Sequence, residues 1–456
     1  MEKDLTRGKP ARVLLRFALP VIGGNLFQLF YTLADSVIVG RTLGADALAA
    51  VGSTSIIIYL VLCFIQGFTG GFGICLGQRF GAKDQSGMER SVRISWLLSL
   101  FFTVVLTAVC CLLAHPILQW MQTPDAIYAD AYDYMFVILL GTGATIFYNM
   151  ISNMLRALGD SRTPVIFLVV SSLGNVALDV LFIVPMKMGV AGAAWATVLS
   201  QLISAVLCTI VGVKNYPVMR QRLSSLFMKE WRSEAAAHLK IGFPMGFQMS
   251  VMCIGQLAMQ AAVNALGPSA IAGYTAATKV DQFSVLMNNA IGIATANYVA
   301  QNYGAKLYGR IRAGVRAALF QLTTANVLMA ALMLVCRKQV VSLFIDAPTA
   351  AVVEYAVGYL VAVAPFYPLL GFLLVYRSAE QSMGDSRSPF MACMVELVLR
   401  IAATTFLSRL IGYTGVCLAS PLAWLGAISL LIPVYYRRMK LLTRGVETCM
   451  KMGSPV

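Results

Sequence analysis

Asp179 stands in a run, Thr163 to Met186, that holds no other charged residue. A run of that length spans a bilayer as a helix. Asp179 is then a carboxylic acid near membrane depth, costly unless it faces a partner or a water-filled cavity. Asn175 lies four residues earlier, on the same helical face. The first apolar segment carries a second polar stripe, Asn25, Gln28, Thr32 and Asp35, spaced three, four and three. That is again one face of a helix. Tyr31 sits four residues before Asp35 and reaches its side. Asp35 and Asp179 both lie roughly 16 to 20 residues into their segments, so at ~1.5 Å rise per residue they sit at matching depth. Two carboxylates close together in low dielectric cannot both stay charged cheaply: one keeps a proton, or a cation sits between them. Oxygen ligands suit hard cations such as Na⁺. Thr197, in the sixth segment, offers a hydroxyl to the same site, although an intrahelical bond would also account for that residue alone.

The elements that must position these groups follow from composition. The chain has 456 residues, 59% hydrophobic and only 12% charged; a soluble domain carries about 25% charge. Twelve apolar segments can be counted, near 13–40, 47–78, 91–114, 127–157, 163–185, 189–212, 238–266, 270–302, 313–335, 350–383, 389–408 and 413–436. In lipid every backbone group must be satisfied internally, so these long unbroken runs are helices and exclude a barrel. The net charge of +15 is no nucleic-acid signal, because the basic residues lie in short loops. Most of the 35 Lys and Arg fall on one side of the alternating spans, and only Arg41, Lys187, Arg337, Lys338 and Arg409 fall in loops on the other. The asymmetry places both termini in the cytoplasm. The ten Cys lie mostly inside apolar runs without CxxC spacing, and the two His, His115 and His238, are far apart. Neither a disulfide frame nor a histidine-built metal centre is indicated.

The chain also repeats itself. Leu76-Gly-Gln-Arg-Phe-Gly-Ala-Lys83 recurs as Val299-Ala-Gln-Asn-Tyr-Gly-Ala-Lys306, and Gly159-Asp-Ser-Arg-Thr-Pro164 as Gly384-Asp-Ser-Arg-Ser-Pro389. Pro20 pairs with Pro244, and the offset stays at 223 to 225 residues. The expected organisation is an all-α polytopic membrane protein of twelve transmembrane helices. Residues 1–212 form one six-helix bundle, 213–237 a cytoplasmic linker, and 238–456 a second bundle with a cytoplasmic tail. Six is even, so the halves are parallel and related by a pseudo-two-fold axis along the membrane normal. That is a transporter design with the substrate path between halves. The Gly-Asp-Ser-Arg-x-Pro turns read as structural: Gly stops a helix and Asp or Ser caps the next. Pro20 removes a hydrogen bond inside the first helix and makes it a hinge candidate.

The acids have no counterpart in the second half, where the repeat offset leads to Ala258 or Met259 and to Ala402, Ala403 and Thr404. A job done once is implied. Further polar residues within spans, Asn25, Gln28, Asn149, Gln256, Gln260, Lys279 and Asp281, are candidates for lining a substrate cleft. Glu396 and Arg400, at i and i+4, are expected to pair, and Arg377 and Glu380 to reach the nearby cytoplasmic end.

These features together resemble the multidrug and toxic compound extrusion (MATE) family over nearly the whole chain. The resemblance rests on the two six-helix halves, the Pro-led first and seventh helices, the Gly-Ala-Lys and Gly-Asp-Ser-Arg repeats, and Asp35 with Asn175-x-x-x-Asp179. Acids confined to the first half are similar to the DinF-like and related bacterial branches. The resemblance implies a cation or proton site at Asp35, Asn175, Asp179 and Thr197, and a monomer in the bacterial plasma membrane. The expected activity is antiport: export of amphipathic, cationic organic compounds against inward H⁺ or Na⁺, with no other cofactor and no nucleic acid. A lipid-linked precursor flippase or an exporter of one metabolite is the alternative within the superfamily. An enzyme finds no support, since no nucleophile–base pair, metal cluster or phosphate loop is present in the sequence.

Overall fold

The computed structural model describes residues 4–220, 231–337, 339 and 349–451. Every regular element among them is helical: α1 (Pro10–Leu43), α2 (Ala45–Gly81), α3 (Gln85–Trp120), α4 (Asp125–Leu140), α5 (Thr142–Ala157), α6 (Arg162–Ile183), α7 (Gly189–Asn215), α8 (Trp231–Asn264), α9 (Pro268–Gly304), α10 (Tyr308–Val335), α11 (Ala350–Val363), α12 (Tyr367–Ser382), α13 (Arg387–Ile411) and α14 (Tyr413–Lys451). Among the described residues, ten helices are long and apolar enough to cross a membrane, α11 and α12 counting as one. The pair α4–α5, bent by 42°, makes an eleventh. The twelfth is α9, whose 37 residues are ample in length while Lys279, Asp281 and several amides dilute its apolarity. Large side chains on the outer surface suit lipid rather than water: Leu112 is 78% exposed and Leu410 is 79% exposed.

Three expected segments differ in detail. The span 127–157 breaks at Gly141, where a Cβ would lie 2.2 Å from a Val198 methyl on α7. Only glycine lets the helices approach so closely. The span 350–383 breaks at the 3₁₀ turn Ala364–Phe366, where Pro365 lacks a donor. The last span continues beyond 436 as α14, through Lys451.

The described chain forms two compact units, one built on Pro20–Ser250 and the other on Leu5–Leu19 with the residues from Val251 onward. This division differs from the linear one, because Trp231–Ser250 packs with the first-half helices. Ion pairs and glycine contacts hold it there. Glu234 pairs with Arg79, and with Arg90 at 3.0 Å. A Cβ at Gly67 would lie 2.3 Å from the Met245 carbonyl, and one at Gly71 would lie 2.6 Å from Gly242 Cα. In the other unit, Leu5 donates to Gln301 Oε1 at 2.8 Å. The unit boundary crosses α1 at Pro20, although the helix continues through that proline.

The repeat is visible in the backbone. Lys83 and Lys306 share φ values of 57° and 55°, and Gly159 and Gly384 share 86° and 89°. Both Gly-Asp-Ser-Arg turns cap the helix that follows. Asp160 Oδ1 accepts from the N–H of Arg162 and of Thr163, each at 3.0 Å, while Asp385 Oδ1 accepts from Arg387 at 3.0 Å and Ser388 at 3.1 Å. Burial works to raise the Asp160 carboxyl. Bonds from Thr163, Tyr216 and Arg162 override it and hold the group below the ordinary carboxylate range.

Two stability predictions follow from these contacts. Gly141→Ala should lower stability by about 1–3 kcal/mol in thermal unfolding of the detergent-solubilised protein. Gly23→Ala, at a position with nothing within 4 Å, should not. Because the native carboxyl of Asp160 is held below its unfolded value, its contribution is complete above about pH 4 and lost as pH falls through the native value. Asp160→Asn should therefore melt lower than wild type at pH 7, with the gap closing toward acid pH.

Candidate functional site

Four helices of the first unit converge on one polar cluster. Tyr31 and Asp35 come from α1, Asn175 and Asp179 from α6, Thr197 from α7 and Tyr134 from α4. The register of α6 against α7 is fixed by two polar stitches. Ser171 Oγ donates to the Ser200 carbonyl at 2.7 Å, and Ser204 Oγ to the Phe167 carbonyl at 2.8 Å. Side chain-to-backbone bonds of this kind join helices where lipid supplies no competing water. They set Asn175 opposite Thr197.

Asn175 and Asp179 are fully buried. The Asn175 amide lies between Asp179 and Thr197. Its nitrogen donates to Asp179 Oδ2 at 3.0 Å and its oxygen accepts from the Thr197 N–H at 3.1 Å. That orientation satisfies both ends of the amide within the protein. The side chains of Asp35 and Asp179 are within hydrogen-bonding reach of each other. Each keeps one buried oxygen, Oδ1, with no hydrogen-bond partner among the described residues. The Tyr31 hydroxyl reaches Thr197, whose own hydroxyl also donates to the Ala193 carbonyl at 3.1 Å. Tyr134 faces both acids and Tyr31. The cluster thus offers two carboxyls, an amide and hydroxyls around a common centre, a donor set that fits one proton or one hard cation.

All five residues expected at a coupling site come together here. Tyr134 joins them from a separate helix, where nothing in the local sequence ties it to Asp35 or Asp179. The cleft candidates do not join this cluster. Asn149 donates to its own helix at the Thr145 carbonyl, 2.9 Å away, and Gln260 to Asn264 Oδ1 at 2.9 Å. Asn25 is half-buried, while Gln28 and Gln256 are exposed. In the second unit, Asp281 accepts from the Tyr359 hydroxyl at 3.4 Å. Lys279 forms no ion pair with it among the described residues. Arg377 does not reach for a helix end: it is buried and paired with Glu396, while Glu380 pairs with Arg438 at 3.3 Å.

A twelve-span helical protein with a buried acid cluster in one of two repeated halves is a membrane transporter. The sequence pattern of the MatE family matches twice, over residues 20–181 and 244–406. The chain therefore belongs to the MatE family. The probable multidrug resistance protein YpnP of Bacillus subtilis is 31% identical, over 95% of this chain and 96% of its own. The FAD transporter of Shewanella oneidensis is 22% identical, over 90% of this chain and 91% of its own. The fold also matches the solved structure of a multidrug resistance MATE family transporter in an outward-facing conformation. The TM-score is 0.88 at 22% identity, covering 96% of this chain and 98% of that one.

The two acids should act as one titrating group. Asp35→Asn and Asp179→Asn should each leave the melting midpoint no lower than wild type, because each relieves the cost of holding two acids side by side. The double variant should depart from the sum of the singles by about 0.5–3 kcal/mol. Additive effects in thermal melts would show that the carboxyls do not interact.

Proposed function

We propose that this chain is a secondary antiporter that expels amphipathic organic compounds, with inward flow of H⁺ or Na⁺ through Asp35 and Asp179 as the driving force. The observation that carries this reading is the acid pair, buried among neutral oxygen donors in a single half of a membrane transporter. A carboxyl pair with unpartnered oxygens must take up a proton or a cation. Asn175, bonded to Asp179 Oδ2 and to the Thr197 N–H, ties the pair to α7. Loading on the outer side and release on the inner side would couple the ion to substrate through alternating access of the two halves. Pro20, where α1 passes from one compact unit to the other, is the natural place for that motion. The membrane is the bacterial plasma membrane and both termini are cytoplasmic, as the basic loops indicate.

A second reading, export of one specific metabolite, is favoured by the FAD transporter among the relatives. Both readings share the same coupling site and differ in cargo.

Ethidium efflux in inverted vesicles under an imposed pH or Na⁺ gradient tests the proposal. Wild type should move ethidium under one gradient, and that gradient identifies the ion. Asp179→Asn, expressed to the same level, should lose gradient-driven transport. Full transport by the mutant would remove Asp179 from the mechanism, and no ethidium movement by wild type would favour the metabolite.

A further inference from the structure

Among its described residues, the second unit holds no copy of the acid pair. It holds a buried cluster of opposite sign. Glu396 sits between two guanidinium groups: Arg377 Nη2 donates to its Oε2 at 2.7 Å, and Arg400 Nη2 to its Oε1 at 2.7 Å. The three side chains are 4%, 3% and 9% exposed for Arg377, Glu396 and Arg400. One carboxylate serves two guanidinium ions, so the triad carries one net positive charge. Asp281 is the next acid to feel Arg400; its Oδ2 accepts from the Tyr359 hydroxyl at 3.4 Å, and its Oδ1 is buried with no partner among the described residues.

The remaining donors of both arginines are poorly used. Arg377 Nη1 turns to the Met252 sulfur at 3.3 Å, and Arg400 Nη1 to the Met259 sulfur at 4.0 Å. A thioether is a weak acceptor. Arg377 Nε is buried with no partner among the described residues. A guanidinium fork at low dielectric gains most from a carboxylate or phosphate, which it can hold through two parallel bonds. The stem of Arg400 lies across Gly255, where a Cβ would come 3.1 Å from its Cδ. The next residue of α8, Gln256, is exposed. The cluster thus lies beside an exposed polar residue of α8, flanked there by the exposed Ile254 and Leu257.

The geometry points to an anion-accepting subsite at Arg377 and Arg400, with Glu396 as the internal counter-ion that positions both forks. It takes a carboxylate or phosphate carried by the transported compound, and it extends the range of cargo from cations to amphiphiles bearing an acidic group. This assignment rests on the transport reading above. Met252 and Met259 yield their weak contacts when a stronger acceptor arrives, and their unbranched side chains can adjust to substrates of different shape.

A matched pair of dyes tests it: rhodamine 123, an ester, and its free acid, rhodamine 110. Fluorescence anisotropy with the purified full chain should show wild type binding the acid about tenfold or more tighter than the ester, as expected for a charged hydrogen bond. Arg400→Met leaves a neutral Arg377–Glu396 pair, and it should abolish the preference while leaving ester binding unchanged. Glu396→Gln keeps both guanidinium groups and should tighten acid binding, a gain that a misfolded variant cannot give. Equal affinities for acid and ester in wild type would overturn the subsite, as would parallel weakening of both dyes by Arg400→Met. Binding is read without a gradient, so this result is separable from failure of ethidium antiport, which would remove the coupling reading alone.

Discussion

Two carboxyl groups held together away from water cannot both remain charged without a counter-ion, and the first unit is arranged around that constraint. Moving an ion into the bilayer interior is expensive. The acids are tolerated because Asn175, Thr197, Tyr31 and Tyr134 bring polar atoms to the same depth. The site is therefore stable only in company. It needs the α6–α7 stitches at Ser171 and Ser204 to keep Asn175 opposite Thr197, and the close approach at Gly141 to pack α4 and α5 beside α7. A proton or cation at the pair changes the charge that these neighbours must satisfy. The Asn175 amide, with a donor at one end and an acceptor at the other, joins Asp179 to the Thr197 backbone.

What could be read in the sequence was what the bilayer itself enforces. Lipid demands long apolar helices, so the spans and their repeat stood out, and the few charges inside them were conspicuous. Asn175 and Asp179 share one helix face by spacing alone, as do Asp35 and the stripe before it. What could not be read depends on contact between helices. Tyr134 comes from α4, and its spacing there does not tie it to acids on α1 and α6. The break at Gly141 is dictated by Val198, far along the chain. Arg377 looked like a residue near a helix end until α13 brought Glu396 against it. The placement of Trp231–Ser250 with the first-half helices follows from Gly67, Gly71 and Glu234, whose meaning lies in packing rather than in local pattern.

The repeat and the chemistry separate cleanly. Features that shape the backbone occur in both halves: the left-handed turn residues Lys83 and Lys306, the glycine stops, and the Asp160 and Asp385 caps. The acid pair lies in the first half and the Arg377–Glu396–Arg400 cluster in the second, with opposite sign. Duplication thus preserves what lets a chain turn and cap its helices at a membrane surface, where the requirement is the same for both halves. The interior is free to diverge, because an acid pair and an arginine pair each need only their own local company.

Under the proposed function, that divergence would bear on how a single protein handles cargo and coupling ion together. A pair of acids that must gain a positive ion, and a pair of arginines with surplus donors, respond to opposite charges. Placed in separate units of one chain, they need not compete for the same ligand. An acid-bearing amphiphile would interact with the arginines without displacing the proton or cation at Asp35 and Asp179. A purely cationic compound would be drawn to the acids and would have to wait until the coupling ion leaves. Under the proposed function and subsite, cargo charge would decide whether cargo and ion compete for one site, as in the cationic case, or occupy separate sites, as in the acidic one.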